Sequence, residues 1–332
     1  MKKLLAVLLM VMMVLTVAGC SKKEEAEPVV STEPEKAEIG IDFIRIGTAS
    51  MGGNFYTMGN AVAQLINDKI EGVNSSAQAS SGGAENIREM AAGNMEMSIT
   101  QSTVLIDSFN GTGSFEGEKI DGLSTVAIVS LSPYHVFATK ESGIKSVADL
   151  KGKNIAVGPM GGTMEVNANM LLAAYGIGAT DYTPMYGSNA DCFDMLKMCQ
   201  ADAMIYATSI GASQIVDFLN NNGVMIEVDK DAVDKILAEH PELGPATIPA
   251  GSYEGQENDI TTVALSVALN VPADLDDEFV YQFTKAFYEN NDYLLGYHAY
   301  FAESVLDNYN VGVVYPYHPA AERYLKEAGA IK

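Results

Sequence analysis

The chain is poor in positive charge and in reactive or metal-binding side chains. Of its 332 residues, 20 are Lys or Arg against 43 Asp or Glu, a formal net charge of −23. Nucleic acid and anionic membrane surfaces are normally bound through basic patches, so this balance argues against both as partners. It also argues against long-range steering of an anionic ligand, while leaving room for a local electropositive pocket. Arginine occurs only at Arg45, Arg88 and Arg323. Arg45 falls inside an expected strand and Arg88 a turn into an expected helix, so neither reads as a bidentate carboxylate clamp. Cysteine is confined to Cys20, Cys192 and Cys199. The last two read as one helix, about 10 Å apart along its axis at 1.5 Å per residue. That is too far for a disulfide, and buried, unpaired thiols are expected. The histidines, His135, His240, His298 and His318, show no metal-type spacing. Ser50, Ser81 and Ser102 lack a nucleophile-elbow context. No Gly-x-Gly-x-x-Gly opens a helix, and Gly47 to Gly53 lacks the Gly-Lys-Ser/Thr ending of a P-loop. No cofactor, metal or catalytic residue is therefore expected.

What is present begins at the N-terminus. Lys2 and Lys3 precede an apolar run from Leu4 to Val17, followed by Val17-Ala18-Gly19-Cys20. A short basic start, an apolar core and small residues before a cleavage point describe a secretory signal over residues 1–19. The run is shorter than the roughly 20 apolar residues of a membrane span. Val-Ala-Gly-Cys resembles a bacterial lipobox, which makes Cys20 the expected lipid anchor and new N-terminus. Residues 20–40 are rich in Glu, Lys, Pro, Ser and Ala without apolar periodicity, the composition of a flexible linker. Extended at about 3.3–3.6 Å per residue, they reach roughly 70 Å. The expected location is extracytoplasmic, in the periplasm or on the cell surface, tethered to the membrane.

From Ile41 onward, strand-like and helical segments alternate. Strands are expected at Asp42–Gly47, Asn74–Ala79, Met95–Thr100, Thr125–Ser130 and Tyr134–Thr139, then at Asn154–Val157, Thr183–Met185 and Ala203–Tyr206. Helices are expected at Tyr56–Lys69, Ala84–Ala92, Met164–Tyr175 and Asn189–Met198. This order gives an α/β architecture with largely parallel sheets. One unit repeats. Ile44-Arg45-Ile46-Gly47 leads to Gly52-Gly53 and a helix, and Ile155-Ala156-Val157-Gly158 leads to Gly161-Gly162-Thr163 and a helix. A third glycine pair, Gly82-Gly83, follows Ser81. Glycines allow close backbone approach, and the free N–H groups of a helix start favour an anion. Ligands in open α/β sheets sit beyond the carboxyl ends of strands, so two such units suggest two lobes sharing a cleft.

Several segments resemble the TAXI-type solute-binding proteins of tripartite ATP-independent periplasmic (TRAP) transporters. They are Ile46-Gly47-Thr48 with Gly52-Gly53 and Tyr56, then Ser81-Gly82-Gly83-Ala84-Glu85-Asn86, then Gln101-Ser102. Ser142 to Lys153 running into Val157-Gly158-Pro159, Thr247 to Tyr253 before Gly255-Gln256, and His318 to Ala321 with Arg323-Tyr324 complete the pattern. The resemblance covers essentially all of residues 41–332. It implies a type II periplasmic-binding-protein fold, with a ligand cleft between two lobes and a two-strand hinge. Lobe one is then residues 41–129 plus 264–332, lobe two residues 130–263, and the crossing strands lie near Tyr134–Thr139 and Thr262–Val271. The resemblance also implies a receptor that is not an enzyme and that delivers its ligand to integral-membrane TRAP subunits. A binding protein of an ABC-type uptake or sensing system for a different small molecule is the alternative with the same fold.

The ligand implied by the resemblance is a small organic anion, a glutamate-like amino acid or a dicarboxylate. With no arginine clamp, main-chain amides and neutral side chains are expected to hold it. The candidates are Gly52, Gly53, Tyr56, Ser81, Gly82, Asn86, Gln101, Ser102, Gly161, Gly162, Thr163 and Tyr206. Two positions that commonly carry hydroxyls in the family are Met51 and Met164 here. Facing the cleft they would make it more apolar, and facing inward they would fill core gaps.

Overall fold

A computed structural model describes residues 38–51 and 53–332. The signal segment, Cys20, most of the expected linker and Gly52 lie outside the described residues. Among the described residues no helix is long and apolar enough to cross a membrane.

The first stretch runs β1 (Phe43–Gly47), α1 (Asn54–Lys69), β2 (Asn74–Gln78), α2 (Gly83–Ala91), β3 (Met97–Gln101) and α3 (Ser102–Asn110). Met58, Val62, Leu65 and Ile66 recur at helical spacing on α1 and are all buried, which seats that helix on the sheet. β1 pairs in parallel with both β2 and β3, as helical crossovers require. Next comes β4 (Leu123–Thr139), a single strand of 17 residues. Then follow β5 (Asn154–Gly158), α4 (Thr163–Ala174), β6 (Thr183–Tyr186), α5 (Asn189–Lys197), β7 (Ala203–Ala207), α6 (Ser213–Asn221), β8 (Gly223–Ile226), α7 (Lys230–Glu239) and β9 (Leu243–Ile248). The chain returns through β10 (Ile260–Pro272) and ends with α8 (Asp277–Glu289), α9 (Asn291–Leu295) and α10 (Pro319–Glu327).

The expected pair of strands at 125–130 and 134–139 is in fact the one strand β4. Its residues Leu123–Pro133 pair with β10, while Tyr134–Ala138 pair with β7. The change of partner falls at Pro133, where an amide missing from the ladder costs least. β4 and β10 are therefore the two strands that cross between two lobes. The sheets are mixed rather than largely parallel, because every pairing made by β4 and β10 among the described strands is antiparallel.

Register fixes which way the strand ends point. β3 is antiparallel to β10, and its last residue Gln101 lies opposite Val267, itself opposite Ser130 of β4. β7 is antiparallel to β4, and its last residue Ala207 lies opposite Tyr134. β1 and β2 run with β3, and β5 and β6 run with β7. Both groups of carboxyl ends thus face each other across the crossing. Ser130 and Tyr134 are about 13 Å apart along β4 at ~3.3 Å per residue.

The first lobe packs β1, β3, α1, α8 and α10 around Phe279, Phe283 and Phe287, whose neighbouring ring centroids are both 5.9 Å apart. In the second, Phe137 of β4 lies 5.8 Å from Phe193 and 5.5 Å from Phe218. Ile39 already packs against the first core, and the Gly40 amide donates to Asp276 Oδ2 at 3.0 Å, so the last linker positions are engaged. Cys192 is buried in α5, as expected. Cys199, expected in the same helix and buried, lies beyond its end, exposed, at φ 53°. The helix stops at Lys197, and that left-handed residue turns the chain back toward β7.

Candidate functional site

On the first lobe, the segment leaving β1 is stitched to the one leaving β2. Thr48 N–H donates to Gln78 O at 3.1 Å, and Ser80 N–H to Ala49 O at 3.3 Å. Ser80 Oγ donates to Thr48 O at 3.2 Å and accepts from the Gly82 amide at 3.1 Å. Gly82 has φ 124°, a conformation that only glycine adopts readily. Beneath this ledge Asn86, fully buried, donates from Nδ2 to Thr48 O at 2.7 Å, while its Oδ1 has no partner among the described residues. A side chain at Gly47 would start 2.7 Å from that oxygen. α1 begins after Gly53 with no side-chain cap and no acidic residue in its first turn.

The second lobe closes its loop differently. Glu165, in the first turn of α4, accepts the Gly161 amide on Oε2 and the Tyr186 hydroxyl on Oε1, each at 2.7 Å. The Gly161 amide, and after it the Tyr186 hydroxyl, hold the Glu165 carboxyl below the usual carboxylate range. Gly187 N–H reaches Gly158 O at 3.1 Å and ties the end of β6 to that of β5. Ser188 and Asp191 form a reciprocal capping box at the start of α5.

The residues singled out from sequence divide accordingly. Gly53, Tyr56, Ser81 and Gly82 follow strands of the first lobe and Gln101 ends β3; Gly161, Gly162 and Thr163 follow β5 of the second and Tyr206 lies near the end of β7. Ser81 spends its amide and hydroxyl on Glu85. Ser102 is buried, and its Oγ accepts the Ser266 amide at 3.3 Å, so it serves the packing of α3 on β10. Thr163 is exposed. Met164 is 8% exposed within the core that holds Phe137 and Cys192, whereas Met51 is 76% exposed. Gly52 is not among the described residues.

Sequence reasoning named Tyr206 but missed Asn189, Tyr300 and Asn54. Tyr206, half-buried, accepts from Asn189 Nδ2 at 3.1 Å. Burial raises the Tyr206 hydroxyl pKa, and Tyr300 lies near enough to add to the shift. The Tyr300 hydroxyl in turn accepts from Asn54 Nδ2, in the first turn of α1, at 3.0 Å. A tyrosine–asparagine pair from each lobe therefore stands at the crossing. Tyr300 sits in a short 3₁₀ turn outside every motif, so no local pattern announces it.

No Lys or Arg lies in the described parts of the loops at 48–53, 79–82, 159–162, 187–188 or 208–212. The arginines are engaged elsewhere: Arg45 with Glu96, Arg88 with Glu118 at 2.8 Å and over Phe115, and Arg323 over Tyr281 at 4.0 Å. Two cavities stand out, one of 500 Å³ beside β8 and the 254–258 loop, and one of 360 Å³ at the crossing beside Pro133, Ile210 and Glu303. None of the candidate ligand residues lines either, although Gly255 and Gln256 line the first and Thr247 the second.

The fold is similar to that of a TctC solute binding protein from Polaromonas, at 13% identity over 87% of this chain and 99% of that one, with TM-score 0.55. That likeness, with the two-strand crossing, defines the class as the periplasmic-binding-protein fold. The chain belongs to the NMT1-like family, whose model matches residues 46–329. Matches also include the aliphatic sulphonate binding protein SsuA from Escherichia coli, at 17% identity over 86% of this chain and 78% of that one, with TM-score 0.48. The L-cystine solute receptor of Neisseria gonorrhoeae matches at 15% identity over 80% and 94% of the two chains, with TM-score 0.45.

Proposed function

We propose that this chain is an extracytoplasmic solute-binding receptor, lipid-anchored through Cys20, that hands its ligand to the integral-membrane subunits of a TRAP transporter of the TAXI type. Lobe one is residues 41–129 plus 264–332, and lobe two is residues 130–263. The observation that carries the reading is the opposition of two groups of strand carboxyl ends across β4 and β10. Such ends are where ligands bind in open α/β sheets, and a two-strand crossing lets lobes close around them.

The ligand is a small organic anion, and charge favours a glutamate-like amino acid over a dicarboxylate. The facing helix starts carry Glu85, Glu165 and Asp191, and no cationic side chain offsets them in the described loops. Glutamate and a dicarboxylate both bring two carboxylates, but the ammonium of the amino acid halves the net negative charge and can itself face these acidic helix starts. The carboxylate end suits the uncapped start of α1, where Gly53 and the neighbouring first-turn amides carry no acidic competitor. Tyr56, Tyr206 and Gln101 supply walls and neutral polar contacts.

The test is native mass spectrometry of the purified protein for a co-purified ligand, followed by thermal titration of the stripped protein with L-glutamate and succinate. At a concentration of 100 times Kd a ligand adds about 2.7 kcal/mol of stability. Stabilisation by L-glutamate exceeding that by succinate is expected. Recovery of a chemically altered compound, or no response to any organic anion, would overturn the reading.

A further inference from the structure

The crossing strand β4, the loop that leads into β10 and the segment leaving β7 meet in a buried hydrogen-bond chain that no part of the binding reading uses. His135 of β4 is fully buried, opposite Tyr206 in the ladder. Its Nδ1 lies 2.9 Å from Pro133 O, a group that only accepts, so Nδ1 carries the proton. Neutral His135 then presents Nε2 as an acceptor, 2.8 Å from the Tyr253 hydroxyl. That hydroxyl accepts the Gly211 amide at 3.0 Å and so donates to the histidine. Pro133 O also takes the Thr208 amide at 3.2 Å. Donor and acceptor roles run one way, from Gly211 through Tyr253 and His135 to Pro133. The rings of His135 and Tyr253 stand edge to face, 5.6 Å between centroids.

We infer that His135 and Tyr253 are positioning residues, a neutral pin that makes the 208–212 segment a rigid part of lobe two and so holds Tyr206 at the cleft. This rests on the cleft reading above. The segment leaves the carboxyl end of β7 and is fastened at Thr208 to β4 and at Gly211 to the loop that leads into β10. Of the two cavities described, the one at the crossing is walled by Ile210 of this segment and by Pro133. With the pin in place, bending between lobes falls on the β4 and β10 residues before His135 and after Tyr253, and the cleft wall moves as one piece with lobe two.

Amide hydrogen exchange needs no ligand and tests the pin directly. In Tyr253→Phe the Gly211 amide loses its acceptor, and exchange at 208–212 is expected to quicken about ten-fold or more while β1 to β3 exchange as before. His135→Leu should reproduce the effect. His135→Gln, whose amide oxygen can accept the Tyr253 proton, should restore most of the protection, which generic destabilisation would not do. Unchanged exchange at Gly211 in Tyr253→Phe would overturn the pin. L-Glutamate affinity measured on the same proteins should fall about ten-fold in Tyr253→Phe; equal affinity despite a loosened segment would overturn the positioning role. If wild type itself does not bind L-glutamate, the ligand assignment falls, and exchange alone decides the pin.

Discussion

The two lobes carry the same device, a strand, a glycine loop and a helix start, and they complete it in different ways. In the first, the loop after β1 is held by neighbouring backbone and by Asn86 from below, and α1 starts without any carboxylate. In the second, the loop after β5 is closed by Glu165, which takes the Gly161 amide for itself. Similar sequence units therefore give opposite electrostatic results, one helix start left open to an anion and the other already neutralised. A single first-turn residue, Glu165, makes the difference.

The largest expected effect comes from breaking either lobe's core. Phe283→Ala in the first and Phe137→Ala in the second should each cost about 3–5 kcal/mol, since both rings are fully buried. Because β4 and β10 run through both lobes, urea unfolding followed by far-UV and near-UV signals should give one shared transition for either variant. Two separate transitions would show lobes that fold independently.

Second comes acid. Burial pushes His135 down from its ordinary 6.5 to about 4, so the unfolded chain binds a proton there before the folded one does. Stability from this group is complete above pH 6.5. It falls as pH drops toward about 4, by about 3 kcal/mol in all. Comparing urea midpoints of wild type and His135→Gln across that window isolates the term, and parallel curves would refute it.

A third variant, Asn86→Ala, removes a buried donor from Thr48 O and should cost about 1–3 kcal/mol. It should also loosen the first-lobe ledge while leaving exchange at Gly161 unchanged. The smallest effect is expected for Glu165→Gln. The carboxylate is held below its usual range, so its contribution is present above that range and lost as pH falls through the depressed value. Removing the charge should raise succinate affinity relative to L-glutamate in titration calorimetry, and an unchanged ratio would show that Glu165 is not felt in the cleft.

Much of this architecture is legible in the sequence. The apolar spacing of Met58, Val62, Leu65 and Ile66 marked α1, and the strand–glycine–helix repeat marked both loops. Misreadings have physical causes. Pro133 reads as a break in any local window, yet it sits where β4 exchanges one partner for another. Cys199 reads as helical because nothing in its neighbours predicts the left-handed turn that ends α5. The hydrogen bond that Ser102 accepts from the Ser266 amide, 164 residues away, could not be read from the linear pattern. Of the two methionine positions left open by the sequence, Met164 is buried in the core that also holds Phe137 and Met51 is exposed.

Local chemistry, then, was determined by the sequence itself: which segments are strands or helices, where glycines let the chain turn, and how few arginines there are. Periodicity and backbone permissiveness act over a few residues, so they can be read from a few residues. Tertiary structure alone decided that the carboxyl ends of two strand groups oppose each other. It also paired Tyr206 with Asn189 and Tyr300 with Asn54 at the crossing, and joined His135 to Tyr253. Those outcomes depend on the register of strands far apart in the chain, and register is settled only when both lobes bury their cores.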